Sequence, residues 1–163
     1  MIPQDTRILS SPKNDSAASE KIAEVTVDHE TGLVRVDRVV AAHDLGRVIN
    51  PTAAEGQVDG QVFSGMSQVL FEELMMDEGQ PLNPSRLEYK LPRSFEVPEV
   101  EHIFVETIDP YGPFGAKGAG EASSCSTMAA IANAIHQATG KRMTELPMSP
   151  PRLLAALDSA QTA

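Results

Sequence analysis

The chain has a single cysteine, no tryptophan and few aromatics of any kind, 4% of its 163 residues. With Cys125 alone, no internal disulfide can form. No cysteine-ligated zinc or iron–sulfur centre can be built from this chain by itself either. Positive charge is also scarce: 13 lysines and arginines stand against 23 aspartates and glutamates, a net charge of −10 at pH 7. Such a chain repels phosphate backbones, which argues against nucleic acid as a partner. No apolar run is long enough for a membrane span, and Met1 to Glu20 lacks the apolar core of a signal peptide. A cytoplasmic protein is therefore expected. The four histidines, His29, His43, His102 and His136, are scattered without ligand-type spacing, so no metal-ligating set is expected among them.

What is present suffices for one folded unit. Apolar residues make up 41% of the chain, and the shortage of aromatics leaves the core to Val, Ile, Leu, Met and Ala. Residues 1–21 are polar, aperiodic and interrupted by proline, which predicts a flexible arm with order beginning near Ile22. The alternation from Ala23 to Asp28 predicts a half-buried strand. His29-Glu30-Thr31-Gly32 is a turn signal, and Leu33 to Val40 resumes the strand pattern, giving a β-hairpin.

Asn50-Pro51 starts a helix expected from Thr52 to about Met76. Its apolar positions Val58, Val62, Met66, Val69, Leu70 and Leu74 recur mostly at three- and four-residue steps. Gly56, Gly60 and Gly65 inside it imply a close approach, either by another backbone or by a ligand. Pro81 to Pro98 holds four prolines and is expected as irregular chain. A strand over Val100–Thr107 follows, then a helix from about Ala122 to Ala138 capped by Gly140, and a short final helix from Arg152 to Leu157. The fold class is α+β: a hairpin and further strands packed with two main helices, joined by long irregular connections.

Between the last strand and the second helix lies Gly112-Pro113-Phe114-Gly115-Ala116-Lys117-Gly118-Ala119-Gly120-Glu121, with four glycines in nine residues and a carboxylate at its end. Such a loop can bring backbone N–H groups close to a ligand and set an acid or base beside it. Its glycines are not in the order of a dinucleotide fingerprint, and it lacks the Gly-Lys-Ser/Thr ending of a phosphate-binding loop.

Four stretches together resemble the large, molybdenum-binding subunit of the xanthine dehydrogenase and aldehyde oxidase family of molybdenum hydroxylases. They are Asp44-Leu45-Gly46 through Asn50-Pro51 to Gly56-Gln57-Val58-Asp59-Gly60; Leu82-Asn83-Pro84 with Tyr89-Lys90-Leu91-Pro92; the glycine loop; and Ala130 to Ile135 with Leu146-Pro147. Their order and spacing match the C-terminal end of that subunit, so residues 22–163 are expected to be a partial molybdopterin-binding subdomain.

The resemblance implies hydroxylation of an N-heterocycle or aldehyde with water as the oxygen source. Glu121 falls at the position of the active-site base, taking the proton of the attacking hydroxyl. It further implies that Gln57 contacts the pterin cofactor and that Gly118 and Gly120 offer it N–H groups. Lys117 stays open between a surface charge and a loop anchor, and Tyr111 and Phe114 between substrate contacts and packing.

The family's large subunit is several times longer than this chain, so the molybdenum–pterin cofactor is expected to be shared with the remaining molybdenum-binding chain. Partner subunits are expected to carry iron–sulfur clusters, with a flavin, FAD, as a further expected cofactor. Alone, the chain is expected to be inactive; the alternative is a non-catalytic relic that binds a partner through the same fold. Two departures stand out. Ala122-Ser123-Ser124-Cys125-Ser126 follows the base where many members have Pro or Gly, and Ser64 stands where many have glutamine. Cys125 is expected to be a small buried thiol.

Overall fold

The structure is a computed structural model and describes residues 7–9, 18–121 and 124–158. Its centre is the hairpin of β2 (Ser19–Val27) and β3 (Val34–Asp44). Alternation drives it: Ala23, Val25 and Val27 on β2 face the same core as Val34, Val36, Val39 and Ala41 on β3. The switch from even to odd buried positions on β3 coincides with a register shift opposite Glu24 and Val25. Asp37 is the extra residue there. Its carboxylate accepts from Thr26 Oγ1 at 2.6 Å and Arg35 Nε at 2.6 Å, which holds the bulge outward. The turn forms as the sequence predicts: Gly32 takes φ +70°, and Asp28 accepts backbone N–H bonds from Glu30 and Gly32.

β1 (Arg7–Leu9) pairs antiparallel with β2, and β6 (Glu99–Val105) pairs parallel with β3, so the sheet runs β1-β2-β3-β6. One face is covered by α1 (Pro51–Leu70) and α2 (Ser124–Thr139). Asn50 caps α1 by accepting from Ala53 N at 3.1 Å, with Pro51 in the first turn, where a missing N–H costs nothing. α2 buries Thr127, Ala130, Ile131, Ala134 and Ile135, and Gly140 at φ +71° ends it. At Gly65 the two helices nearly touch: a Cβ there would sit 2.8 Å from Ser124 O and from Thr127 Cβ. α3 (Pro150–Asp158) closes the core with Leu153, and a short hairpin of β4 (Met76–Asp77) and β5 (Gln80–Pro81) projects from the surface. Among the described residues no helix is long and apolar enough to cross a membrane.

The fold class is α+β as expected, but several boundaries move. β2 begins at Ser19, ahead of the expected onset at Ile22, because Ser19 and Lys21 continue the buried side of the strand. β1 also falls within the stretch expected as an arm; residues 1–6 and 10–17 lie outside the described residues. β3 runs past Val40 to Asp44, burying His43 against Lys21. α1 stops at Leu70, not Met76. Leu74 is left exposed, while Asn83 takes over the freed backbone by accepting from Met75 N and donating to Glu73 O. The expected start of the second helix at Ala122 lies outside the described residues.

Candidate functional site

Two chain segments leave the sheet at the carboxyl ends of neighbouring parallel strands, where open sheets commonly place their ligand sites. After β3 comes 45–50, leading into α1; after β6 comes the glycine loop. The two are joined directly. Leu45 N donates to Val105 O at 3.2 Å, Lys117 N to Leu45 O at 2.8 Å, and Arg47 N to Gly115 O at 3.0 Å. Gly46 makes this crossing possible: it sits at φ +57°, and a Cβ on it would lie 2.2 Å from Gly115 O.

Side chains complete the frame. Lys117 Nζ donates to Asp44 Oδ2 at 2.6 Å, with both side chains largely buried. Asp44 Oδ1 accepts from Gly46 N at 3.0 Å and Thr107 N at 3.1 Å. Burial would raise the Asp44 carboxyl, but the bonds from Lys117, Gly46 and Thr107 outweigh it and hold the group well below the usual carboxylate range. Further along, Gln61 Nε2 donates to Ala119 O at 2.9 Å and Gln57 Nε2 to Gly120 O at 3.3 Å. The glutamines are one turn apart on α1, so both reach the same strand of loop.

The structure sets Gln57 beside Glu121 on one hollow and beside Gly120 on another, while Gly118 lines neither. Gln57, Gly60, Glu121, Ser124 and Cys125 line one open hollow of about 540 Å³, to which Ser64 and Gln68 add polar groups. A second, more apolar hollow of about 460 Å³, also lined by Gln57, lies between the first turn of α1 and Lys117, Ala119 and Gly120, with Arg47 at its side. Glu121 is exposed. Gly118 and Gly120 have open space where a Cβ would be, with no atom within 4 Å.

Gly56 and Gly60 have the same open space, so no backbone of the described residues explains them; of the three glycines within α1, Gly65 alone is a packing glycine. Cys125 is exposed rather than buried, because the first turn of α2 turns it to the hollow and Thr127 to the core. Tyr111 and Phe114 are also exposed, which removes packing among the described residues as their role. Lys117 is a loop anchor. Its partner Asp44, and Gln61, were not recognisable as site residues: Asp44 lay within the first matching stretch and Gln61 one turn beyond Gln57, but neither pattern shows what it bonds. Among the described residues there is no group of three or more His, Cys, Asp or Glu able to hold a metal ion.

Comparison with known proteins finds relatives in both sequence and structure. A family model, molybdopterin cofactor-binding domain, fits residues 5–98. The putative xanthine dehydrogenase molybdenum-binding subunit XdhA of Escherichia coli is 37% identical over 147 residues, covering 89% of this chain and 20% of that protein. The aldehyde oxidoreductase molybdenum-binding subunit PaoC of the same organism is 39% identical over 152 residues, covering 91% and 21%. The crystal structure of quinoline 2-oxidoreductase from Pseudomonas putida 86 superposes with a TM-score of 0.83 at 31% identity, over 87% of this chain and 19% of that one. The chain spans about a fifth of the length of the curated relatives it matches.

Proposed function

Since the chain belongs to the molybdopterin cofactor-binding domain family and is similar to a portion of the molybdenum-binding subunits of xanthine dehydrogenase and aldehyde oxidoreductase, we propose that it forms one wall of a molybdenum–pterin site and supplies Glu121 as the base. The observation that carries this reading is the convergence of Gln57 and the Glu121 loop on shared hollows that no other described element closes.

The residues present fit such a group. Gly56, Gly60, Gly118 and Gly120 leave clear space, which lets a large planar ligand approach the backbone. The first turn of α1 carries no acidic residue and stands beside Arg47, a setting that suits an anionic cofactor. Gln57, Ser64 and Gln68 offer amide and hydroxyl donors toward the hollow.

When bound, the cofactor supplies the two-electron redox chemistry that no side chain of this chain can. The chain's own part is positioning and proton transfer. Gln57 holds Gly120 O, next to Glu121, so the Glu121 carboxylate stands at the mouth of the hollow as the acceptor of the proton of the attacking hydroxyl, water being the oxygen source. The hollow is open to solvent, and its closure by the remaining molybdenum-binding chain provides the drier setting that proton transfer requires. Substrates of this reading are N-heterocycles or aldehydes. Iron–sulfur and FAD-bearing subunits carry the electrons away, in the cytoplasm, and the chain is inactive alone.

The test is the composition of the native complex. Purified with its partners, the chain should sit in a heteromeric assembly containing molybdenum and pterin in equal amounts. Purified by itself, it should hold neither and should bind an apolar dye through exposed Ile49, Ile103, Ile108 and Phe114. A monomeric, metal-loaded and active preparation would overturn the proposal.

A further inference from the structure

The loop that carries Glu121 is held at two places by side chains that the proposed chemistry does not use. At its entry, Lys117 is tied to Asp44 at 2.6 Å, and Asp44 is itself fixed by the backbone N–H groups of Gly46 and Thr107. Near its exit, the largely buried Gln61 amide holds Ala119 O at 2.9 Å. Between these anchors lies Gly118 and, just beyond, Gly120, whose carbonyl accepts from Gln57 Nε2 at 3.3 Å; neither glycine has a neighbour where a side chain would stand. A loop with such free links would sample many paths unless pinned on both sides of them.

We propose that Asp44, Lys117 and Gln61 are positioning residues for Glu121, acting as a two-point clamp that sets where the carboxylate stands. The inference rests on the reading of Glu121 as the base. Asp44 suits the task because it ends β3 next to the end of β6, so the clamp refers the loop to the sheet rather than to another loop. Lys117 suits it because its charge is matched inside a largely buried pair, where a charge-assisted bond is strong and directional. Gln61 suits it because α1 is rigid and packed on α2, so the amide's position is set by the core. The pair fixes direction and the amide fixes reach; neither touches the reacting atoms.

The experiment uses the assembled enzyme with Lys117→Met, Lys117→Arg and Gln61→Met, and two readouts. The first is hydrogen–deuterium exchange over peptides covering 45–50 and 113–121, with peptides of α2 as reference. Loss of one charge-assisted bond should speed exchange in those loops about tenfold, with α2 unchanged. The second is the pH profile of kcat with KM measured alongside. A displaced base should lower kcat by about 100-fold and shift the profile, with KM nearly unchanged, and Lys117→Arg should restore most of the loss.

Unchanged exchange in the two loop segments would overturn the proposal. Faster exchange with an unaltered kcat profile would overturn it too, as would acceleration spread equally over α2. Glu121→Gln separates the two readings: it should leave loop exchange as it is, so failure of Glu121 as base and failure of the clamp are seen independently.

Discussion

Lys21 is the least expected residue in the core. It is fully buried, hydrogen-bonded to His43 Nε2, and makes no ion pair among the described residues. Burial lowers its pKa from 10.5 to about 7. The unfolded chain therefore holds the lysine proton up to about pH 10.5, while the folded chain releases it near 7. Across that window the unfolded state binds more protons, so stability rises with pH.

At 1.36 kcal/mol per pKa unit, keeping the charged lysine in the core below pH 7 costs on the order of 5 kcal/mol. Lys21→Met removes that cost but leaves His43 without its partner, a loss of about 1–3 kcal/mol. The variant should thus be more stable than the parent by roughly 2–4 kcal/mol at about pH 6, and less stable by roughly 1–3 kcal/mol at about pH 10.5, crossing in between. His43, lowered from 6.5 to about 4 by burial and by Lys21 and His102, adds a separate rise in stability between about pH 4 and 6.5. Urea unfolding of both proteins at several pH values reads the effect directly. A difference that stays constant from pH 6 to 10.5 would refute the assignment of a depressed, buried lysine.

Two further predictions concern the packing that supports the site. Ile131→Ala should cost about 2–5 kcal/mol in urea unfolding, because a fully buried side chain between α2 and the sheet is removed; a loss under about 1 kcal/mol would mean that α2 is not docked as described. Gly65→Val should cost about 1–3 kcal/mol or more in the same assay, since its Cβ would press on Ser124 O and Thr127. If it were neutral, the close approach of α1 and α2 would be wrong.

Much of the frame was legible because periodicity reports burial. Val25, Val27, Val34 and Val36 alternate, and Val58, Val62, Met66 and Val69 recur at helical steps, so the hairpin and α1 could be placed before any coordinates. Four separated stretches that matched one family at once also drew attention to Gln57 and Glu121, which line one hollow in the structure and whose roles are those proposed above. What the pattern hid was tertiary. Leu74 kept the helical step but falls after the helix has ended. Lys21 and His43 have polar side chains on the buried side of their strands, so alternation marked the strands but not the pair. Asp44 and Lys117 are 73 residues apart, and no local pattern links them. Cys125 and the glycines at 56 and 60 depend on which side of a helix is left open, a property of neighbours rather than of sequence.

The most direct test of the central claim is Glu121→Gln in the assembled enzyme, with turnover and bound molybdenum and pterin measured on the same preparation. A carboxylate acting as general base predicts a fall in turnover of about 10²–10⁴-fold with cofactor content unchanged. Turnover equal to that of the parent, with the cofactor in place, would remove Glu121 from the chemistry and leave the chain as a structural wall alone.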